Sequence, residues 1–329
     1  MKFRQWAIAL LLMAAALFGT VVQAHPHDNS DIVQPTLSSA KLTVEPLAKG
    51  VYGLVASTDF PAEDPNIAIC NGGIVVGSDG VLVIDPFQNE ALASLMFETV
   101  ASFTDQPIRY VLNTHYHFDH SGGNASAAAL EYPIIGRGPI REFMLERNLE
   151  QDPNAAPPTV VVSGASDLWL GDRQVQLLEF DGHSGGTDLV AYVPDVDVLI
   201  AGDLLFHQRI PFLGDGQIRG WQATLEQLVA DYSTATVLPG HGPVSDSSAF
   251  TALKGYLEAL ESWAVDWQTQ GISQAEALET PLPDAYGDYL FQGLFPGNLE
   301  VAYQQITLGQ ADAAAIQRYQ AQSPDLKAL

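Results

Sequence analysis

The chain has 329 residues, of which 47% are hydrophobic and 16% are charged, as is typical of a globular protein with an extensive core. Its 39 acidic and 14 basic residues give a net charge of −25 at pH 7. Because such a surface repels phosphate backbones, we expect no nucleic-acid partner.

The N-terminus has the pattern of a secretory signal peptide. Two basic residues precede an apolar stretch, residues 7–18, and Val22 to Ala24 form a small-x-small cleavage site. We therefore predict a cleaved signal peptide over residues 1–24 and a periplasmic or secreted protein without a membrane attachment. An uncleaved anchor is the alternative, although the apolar stretch is short for a membrane span. Residues 25–41 are predicted to be a flexible segment.

Residues 42–86 alternate apolar runs with turn residues, which predicts strands and a hairpin at 77–80. One predicted strand covers residues 67–76 and contains Cys70, the single cysteine of the chain. We interpret Cys70 as a buried small hydrophobe, because a lone cysteine cannot form an internal disulfide. Residues 90–103 carry apolar side chains at helical spacing and are predicted to form a helix.

A dense group of ligand-type side chains follows the predicted strand 108–112 and precedes a predicted Ala-rich helix, residues 124–130. Residues two apart in an extended segment share a face, so the first two imidazoles can reach one metal ion. The last two side chains lie at the turn into the helix and can reach a second ion. Imidazole with carboxylate suits zinc best, while iron and manganese stay open. The four residues are His115, His117, Asp119 and His120.

Three later apolar runs each end in a glycine followed by another potential ligand. Glycine lets the backbone turn sharply and approach a metal closely. Strand ends that deliver histidine or aspartate in this way predict further ligands of the same site. The three are His183, Asp203 and His241.

The other predicted elements divide into two β-rich halves, each with helices, around a Pro-rich loop at residues 151–158. This organisation predicts a four-layer αββα sandwich with the metals at one edge. A long Gly- and Pro-broken stretch, residues 204–220, follows Asp203, and loops of this length near a site are usually functional. The further predicted strands are 132–135, 159–162, 167–169, 174–180, 189–193 and 198–201, and the further predicted helices are 139–149, 221–232 and 245–271.

Together these motifs resemble those of the metallo-β-lactamase superfamily of binuclear metallohydrolases. Asp85, which ends the apolar run 80–84, matches the first motif, and the four ligands already named match the second. His183, Asp203 and His241 match the remaining three motifs. The resemblance covers residues 42–250 and implies the αββα fold there, followed by a C-terminal helical extension over residues 251–329.

The resemblance also implies how two zinc ions are bound. Asp85 is implied to orient a ligand histidine rather than to bind metal, with a turn residue before Pro86 as its alternative. Asp119 is implied to be catalytic, orienting the attacking hydroxide and relaying its proton. The first ion is implied to bind His115, His117 and His183, the second Asp119, His120 and His241, with Asp203 bridging both.

Residue types separate some branches of the superfamily. His117 stands where similar diiron flavoproteins have glutamate, which favours hydrolysis over redox chemistry. The best-known secreted β-lactamases have Cys or Ser at the position of Asp203. An aspartate at this position is similar to glyoxalase-II-like hydrolases instead. Residues 202–206, 209–221 and 298–303 look similar to the secreted quinoprotein relay system zinc metallohydrolases.

The resemblance places the loop 60–66 over the metals, so Phe60 and Glu63 are expected to contact substrate. Residues 204–220 are expected to form a wall of the substrate cleft. His207, within that stretch, is either a substrate contact or an ordinary surface residue.

We therefore expect an exported zinc-dependent hydrolase of a small molecule. Two zinc ions lower the pKa of a bridging water to about 7, and the resulting hydroxide attacks an ester, thioester or lactam carbonyl. The alternatives are a metallo-β-lactamase proper and a non-hydrolytic metal or redox accessory protein of a periplasmic quinoprotein pathway. The sequence leaves the substrate, the native metal and the oligomeric state open.

Overall fold

The computed structural model describes residues 34–309. The predicted signal peptide 1–24, most of the segment 25–41 and the last part of the C-terminal extension, 310–329, lie outside the described residues. Within 34–309, no helix has both the length and the hydropathy that a membrane span requires.

Seven strands form the first sheet and follow one another in chain order. The first four are antiparallel neighbours, whereas β4 to β7 pair in parallel. Parallel neighbours need a crossover connection, which helices supply between β4 and β6. The strands are β1 Leu42–Ala48, β2 Val51–Ala56, β3 Gly72–Val76, β4 Val81–Ile84, β5 Ile108–Leu112, β6 Ile134–Arg137 and β7 Val160–Val162.

Five strands form the second sheet, in the order β12-β11-β10-β9-β8. All its pairs are antiparallel except β11 with β12, which run parallel. The crossover between these two contains a helix, so β11 and β12 end at the same edge of the sheet. The strands are β8 Ser166–Leu170, β9 Arg173–Glu179, β10 Leu189–Val193, β11 Val198–Phe206 and β12 Thr236–His241.

The helices fall into long elements that cover the sheets and short turns near the site. The α-helices are α1 Glu90–Phe103, α2 Phe118–Ser121, α3 Asn124–Ala129, α4 Ile140–Phe143, α5 Leu149–Gln151, α6 Ile218–Asp231, α7 Ser248–Gln270, α8 Gln274–Ala277 and α9 Phe295–Ala302. The described residues also contain two π-helical turns, Met144–Asn148 and Tyr303–Thr307, and two 3-10 turns, Asp284–Tyr286 and Gln292–Leu294.

Three buried clusters define four layers. The central one joins the facing sides of the two sheets, as Leu82 and Leu112 of the first sheet with Leu177 and Ile200 of the second show. A second cluster packs α1 onto the outer face of the first sheet. The third packs α6, α7 and α9 onto the outer face of the second sheet. The predicted αββα sandwich with C-terminal helices is therefore confirmed.

Several predicted boundaries were wrong. The strand expected at 67–76 begins only at Gly72, and β7 belongs to the first sheet because Val160 pairs with Ile135 beyond the loop 151–158. β11 continues through Asp203 to Phe206, because its last residues still pair with β12, with Phe206 opposite His241. With α6 starting at Ile218, the irregular stretch is therefore 207–217 rather than 204–220.

The division of the chain at residue 250 stays a prediction. The described residues all belong to one compact unit. Helix α7 crosses that position, and Phe250 and Leu257 both lie in the cluster that covers the second sheet. The helices after residue 250 therefore share a core with the sandwich.

Candidate metal centre

The segment after β5 brings the first two predicted ligands together. His115 Nε2 lies 3.0 Å from His117 Nδ1. The His183 ring follows β9, with its centroid 5.1 Å from that of His115 and 5.0 Å from that of His117. Gly182 has a φ of 148°, and a Cβ there would lie 2.7 Å from the Trp221 backbone. The glycine therefore allows the close approach that places His183.

A second group lies where the chain enters α2. Asp119 Oδ2 is 3.4 Å from His120 Nε2 and 3.3 Å from His241 Nε2. The two Nε2 atoms are themselves 3.4 Å apart. His241 reaches this position because it is the last residue of β12.

Asp203 lies between the two groups. Its Oδ2 is 3.6 Å from His115 Nε2 and 3.7 Å from His183 Nε2. Its Oδ1 is 3.1 Å from His120 Nε2 and 3.2 Å from His241 Nε2. The structure thus brings all seven predicted metal ligands into one buried cluster, and one oxygen of Asp203 faces each of the two groups.

The charges of the cluster depend on its carboxylates. Burial opposes ionisation of Asp203, but His241 and His120 beside it hold the pKa of its carboxyl well below the usual range. Burial likewise opposes ionisation of Asp119, and His120 and His241 lower its pKa overall. Burial lowers the pKa of His241, but the carboxylates of Asp203 and Asp119 outweigh this effect and raise it to about 9. The centre therefore presents ionised carboxylates to any cation.

The residues fit a bound metal ion. Four of their buried atoms have no hydrogen-bond partner among the described residues, and buried polar groups rarely lack one. The donor atoms of His115, His117, His183 and Asp203 lie within 4.8 Å of one another, close enough to share an ion. The same holds for His120, Asp203 and His241, and for Cys70, Asp119 and His120. Imidazole nitrogens with carboxylate oxygens are the donors zinc prefers in proteins. The four atoms are Asp119 Oδ2, Asp203 Oδ1, and His183 Nδ1 and Nε2.

Asp85 lies outside these candidate groups. Its Oδ2 is 2.8 Å from His120 Nδ1, so the Nε2 of that ring faces Asp119 and Asp203. Thr114 donates its backbone N–H and its hydroxyl to the same carboxylate. These contacts are those that an orienting role for Asp85 requires.

Sequence reasoning missed Asp215 as a site residue. This buried carboxylate places Oδ2 2.8 Å from His117 Nε2, on the opposite side of the ring from His115. Tyr116 donates its hydroxyl to the same oxygen, and Arg147 Nη1 lies 3.1 Å from Oδ1. Burial raises the pKa of Asp215, but the bond from His117 and the charges of His117 and Arg147 bring it to about 2. Its sequence signals were its position between Gly214 and Gly216 and its place in the stretch 204–220, which was expected to form a wall of the cleft.

A small cavity of ≈ 260 Å³ opens onto the cluster. Phe60 lines it as expected, but Glu63 is exposed and lies outside it. His207 is also outside, with Nδ1 2.8 Å from the carbonyl oxygen of Pro243. The cavity is lined by Phe60, His117, Asp119, Asp203, Phe206, Phe212, His241, Phe291 and Leu294.

Comparison with known proteins assigns the family. The family model described as the metallo-beta-lactamase superfamily matches residues 66–241, just over half of the 329 residues. The chain belongs to the metallo-β-lactamase superfamily. Members of this superfamily are metallo-hydrolases, so the prediction of a metal-dependent hydrolase is confirmed at the level of the family.

Relatives within the superfamily are distant and differ in activity. The chain is 28% identical to the probable metallo-hydrolase YqgX of Bacillus subtilis over 147 residues, 41% of this chain and 69% of that protein. It is 28% identical to the acyl-coenzyme A thioesterase MBLAC2 of Bos taurus over 151 residues, 39% of this chain and 54% of that protein. It is 23% identical to a metallo-beta-lactamase type 2 of Bacillus cereus over 181 residues, 54% of this chain and 68% of that protein. The chain thus spans about half the length of the thioesterase and somewhat more of the other two.

Solved structures support the same fold. A metallo-beta-lactamase from Pontibacter korlensis aligns with a TM-score of 0.58 and 19% identity over 66% of this chain and 99% of that one. The DIM-1 metallo-beta-lactamase aligns with a TM-score of 0.57 and 16% identity over 67% of this chain and 97% of that one. At these identities the likeness shows the metallo-β-lactamase fold alone.

The contact between Asp215 and His117 leads us to predict that Asp215 contributes to zinc affinity. Asp215→Asn keeps the shape but removes the charge that holds the His117 Nε2–H, so zinc affinity should fall roughly 10–100-fold. Titration against a chromophoric zinc chelator measures this without substrate. Asp195→Asn, a half-exposed carboxylate paired with Arg173, is the matched control and should bind zinc as the wild type does. Equal affinities for the two variants would contradict a role for Asp215 at the metal.

Proposed function

We propose that the protein is an exported zinc-dependent hydrolase that cleaves an ester, thioester or lactam carbonyl of a small molecule with two zinc ions. One observation carries the proposal: Asp203 presents Oδ2 to His115 and His183 and Oδ1 to His120 and His241. A carboxylate that faces two separate imidazole groups suits a ligand shared by two neighbouring ions, the arrangement found in two-metal hydrolytic sites.

Each ion has its own set of protein ligands in this proposal, with Asp203 common to both. The first set contains imidazoles only, and the second adds a carboxylate, so both offer donors that suit zinc. The first set is His115, His117 and His183, and the second is Asp119, His120 and His241.

When bound, zinc supplies a Lewis acid for a carbonyl oxygen and lowers the pKa of a water ligand to about 7. Asp119 would hold the second ion through Oδ2, which lies between His120 and His241, and its other carboxylate oxygen would orient the attacking water and relay its proton. Asp85 holds His120 in place through Nδ1. Phe206 and Phe212 restrict the access of bulk water, which strengthens these electrostatic interactions.

Metal removal tests the proposal. Protein stripped with a strong chelator should lose hydrolysis of 4-nitrophenyl acetate and recover it when zinc is returned, with saturation at two ions per chain. Zinc at 100 times its dissociation constant should also raise the free energy of unfolding by about 2.7 kcal/mol for each site that it fills. His207→Ala, which alters a side chain outside the cavity, should behave as the wild type. Turnover that resists complete removal of metal would overturn the proposal.

A lactamase is the second candidate, favoured by the alignment with 68% of the length of the B. cereus metallo-beta-lactamase. Hydrolysis of a chromogenic cephalosporin by zinc-loaded protein separates the candidates. Rapid, chelator-sensitive turnover would identify a lactam substrate, and its absence in zinc-loaded protein would favour esters and thioesters.

Three further parts of the proposal rest on the sequence. They are the export of the protein, its place in a subgroup of the superfamily and the lack of a nucleic-acid partner. The signal-peptide pattern of residues 1–24 supports a periplasmic or secreted location, and the net charge of −25 argues against nucleic acid as a partner. The residue patterns after Asp203 and at 298–303 support a place among the quinoprotein relay system zinc metallohydrolases. Mass spectrometry of the mature N-terminus, isolated from the exporting host, would show whether cleavage follows Ala24.

A further inference from the structure

We propose that the substrate is a small, uncharged acyl compound whose acyl group is apolar and fits an aromatic cavity beside the metals. This inference rests on the proposed hydrolase function and names its substrate class. It follows from the side chains that line the cavity, from their charge and from the contacts that hold them in place.

The wall of the cavity is almost entirely apolar away from the candidate ligands. Five of its nine lining residues are hydrophobic, and four of those are phenylalanines. The remaining four are side chains of the metal centre itself. The five hydrophobic residues are Phe60, Phe206, Phe212, Phe291 and Leu294.

No lysine or arginine is among the residues of 34–309 that line the cavity. Arg209 lies near Phe291, with Cζ 5.7 Å from the ring centroid, but it is not a lining residue. Its Nη1 donates to the Gln208 carbonyl, and its Nε has no hydrogen-bond partner among the described residues. A substrate carboxylate that lies against these walls, away from the metal ions, would lose its hydration without gaining a cationic side chain as partner, which is costly. The cavity should therefore discriminate against anionic acyl groups.

The aromatic wall is held by backbone contacts from distant parts of the chain. Asp59 Oδ1 accepts from the backbone N–H of Phe60 at 2.8 Å and of Phe291 at 2.7 Å. The two rings meet edge to face with centroids 5.9 Å apart. Phe291 has a φ of 65°, an uncommon conformation for a bulky residue that surrounding contacts must hold. The wall is therefore built before substrate binds.

A matched pair of esters tests charge separately from size. The 4-nitrophenyl esters of 4-carbamoylbenzoic acid and of terephthalic acid share their leaving group and shape and differ only by one negative charge. With zinc-loaded protein, kcat/KM for the uncharged ester should be about tenfold or more above that for the anionic ester. Equal values, or a preference for the anionic ester, would overturn the inference.

A charge introduced into the wall should change this preference. Phe291→Arg should lower kcat/KM for the uncharged ester and raise it for the anionic one, because the guanidinium supplies the missing partner. Trp169→Arg is the matched control, since Trp169 is 57% exposed on β8 and outside the cavity. An unchanged ratio in Phe291→Arg, with the zinc content and unfolding midpoint of the wild type, would remove the cavity wall from substrate selection.

Binding without turnover distinguishes this inference from the proposed function. Benzohydroxamic acid and 4-carboxybenzohydroxamic acid can be compared by calorimetry on the zinc-loaded protein. If neither esters, thioesters nor lactams are hydrolysed, the hydrolase proposal fails, while tighter binding of the uncharged hydroxamate would still support the charge selection. If esters are hydrolysed but both hydroxamates bind equally, the hydrolase stands and the substrate class is wrong.

Discussion

Asp119→Ala will lower kcat by roughly 10²–10⁴-fold in zinc-loaded protein, the range expected when a group that moves a proton is removed. The side chain is buried, and its Oδ2 lies between His120 and His241 without a hydrogen-bond partner among residues 34–309. Alanine removes the oxygen that faces the second ion together with the one that would orient the attacking water and relay its proton. The neighbouring imidazoles stay in place because Asp85 and β12 hold them independently.

The measurement must separate loss of chemistry from loss of metal or of fold. Steady-state kinetics at saturating zinc, metal analysis of the same sample and circular dichroism give the three readouts. Asp195→Ala, which removes a carboxylate that is half exposed and paired with Arg173, should retain the activity of the wild type. If Asp119→Ala hydrolyses esters at a near-normal rate, Asp119 has no part in the proton transfer.

The layers of the fold were predictable because local patterns specify them. Apolar runs of four to seven residues bounded by glycine predict buried strands, and α1 follows from helical spacing at Glu90–Phe103. Site residues placed at or shortly after strand ends converge because parallel strands end at the same edge of a sheet. β4 with β5 and β11 with β12 are parallel pairs, and Asp85, His115 and His241 lie at their ends.

What the sequence did not reveal depends on contacts between distant residues. Asp215 is 99 positions from Tyr116, and Phe291 is 232 positions from the Asp59 carboxylate that holds its backbone. No periodicity links such pairs, so neither could be identified as part of the site from its own segment. Arg147 meets Asp215 from a π-helical turn, which the simple helix predicted at 139–149 did not anticipate.

Predicted cleft contacts show the same limit within a single loop. Phe60 and Glu63 were expected together because one loop carries both. The apolar ring packs into the cavity against Phe291, whereas the carboxylate of Glu63 stays exposed, where its charge remains hydrated. Position in a loop therefore predicts proximity to the site, but side-chain chemistry decides which residue enters it.

Asp203→Asn will weaken zinc binding by more than the 10–100-fold expected for the loss of a residue that only orients a ligand. The side chain faces both imidazole sets, with Oδ2 toward His115 and Oδ1 toward His120. Asparagine keeps the volume, but it loses the negative charge and replaces one oxygen with an N–H₂ group that cannot bind a cation. We therefore expect fewer than two ions per chain at zinc concentrations that saturate the wild type, and no measurable hydrolysis.

Competition with a chelator gives the affinities, and the zinc-dependent rise in thermal midpoint gives an independent readout, because a ligand stabilises only the state that binds it. That rise should shrink in Asp203→Asn but not in Asp197→Asn. Asp197 is a carboxylate of the same chain that accepts hydrogen bonds from Tyr192 and Thr234, away from the metal centre. Two tightly bound zinc ions in Asp203→Asn would mean that each imidazole group holds its ion alone. Asp203 would then have to be reassigned from a bridging ligand to a residue that only balances the charge of the centre.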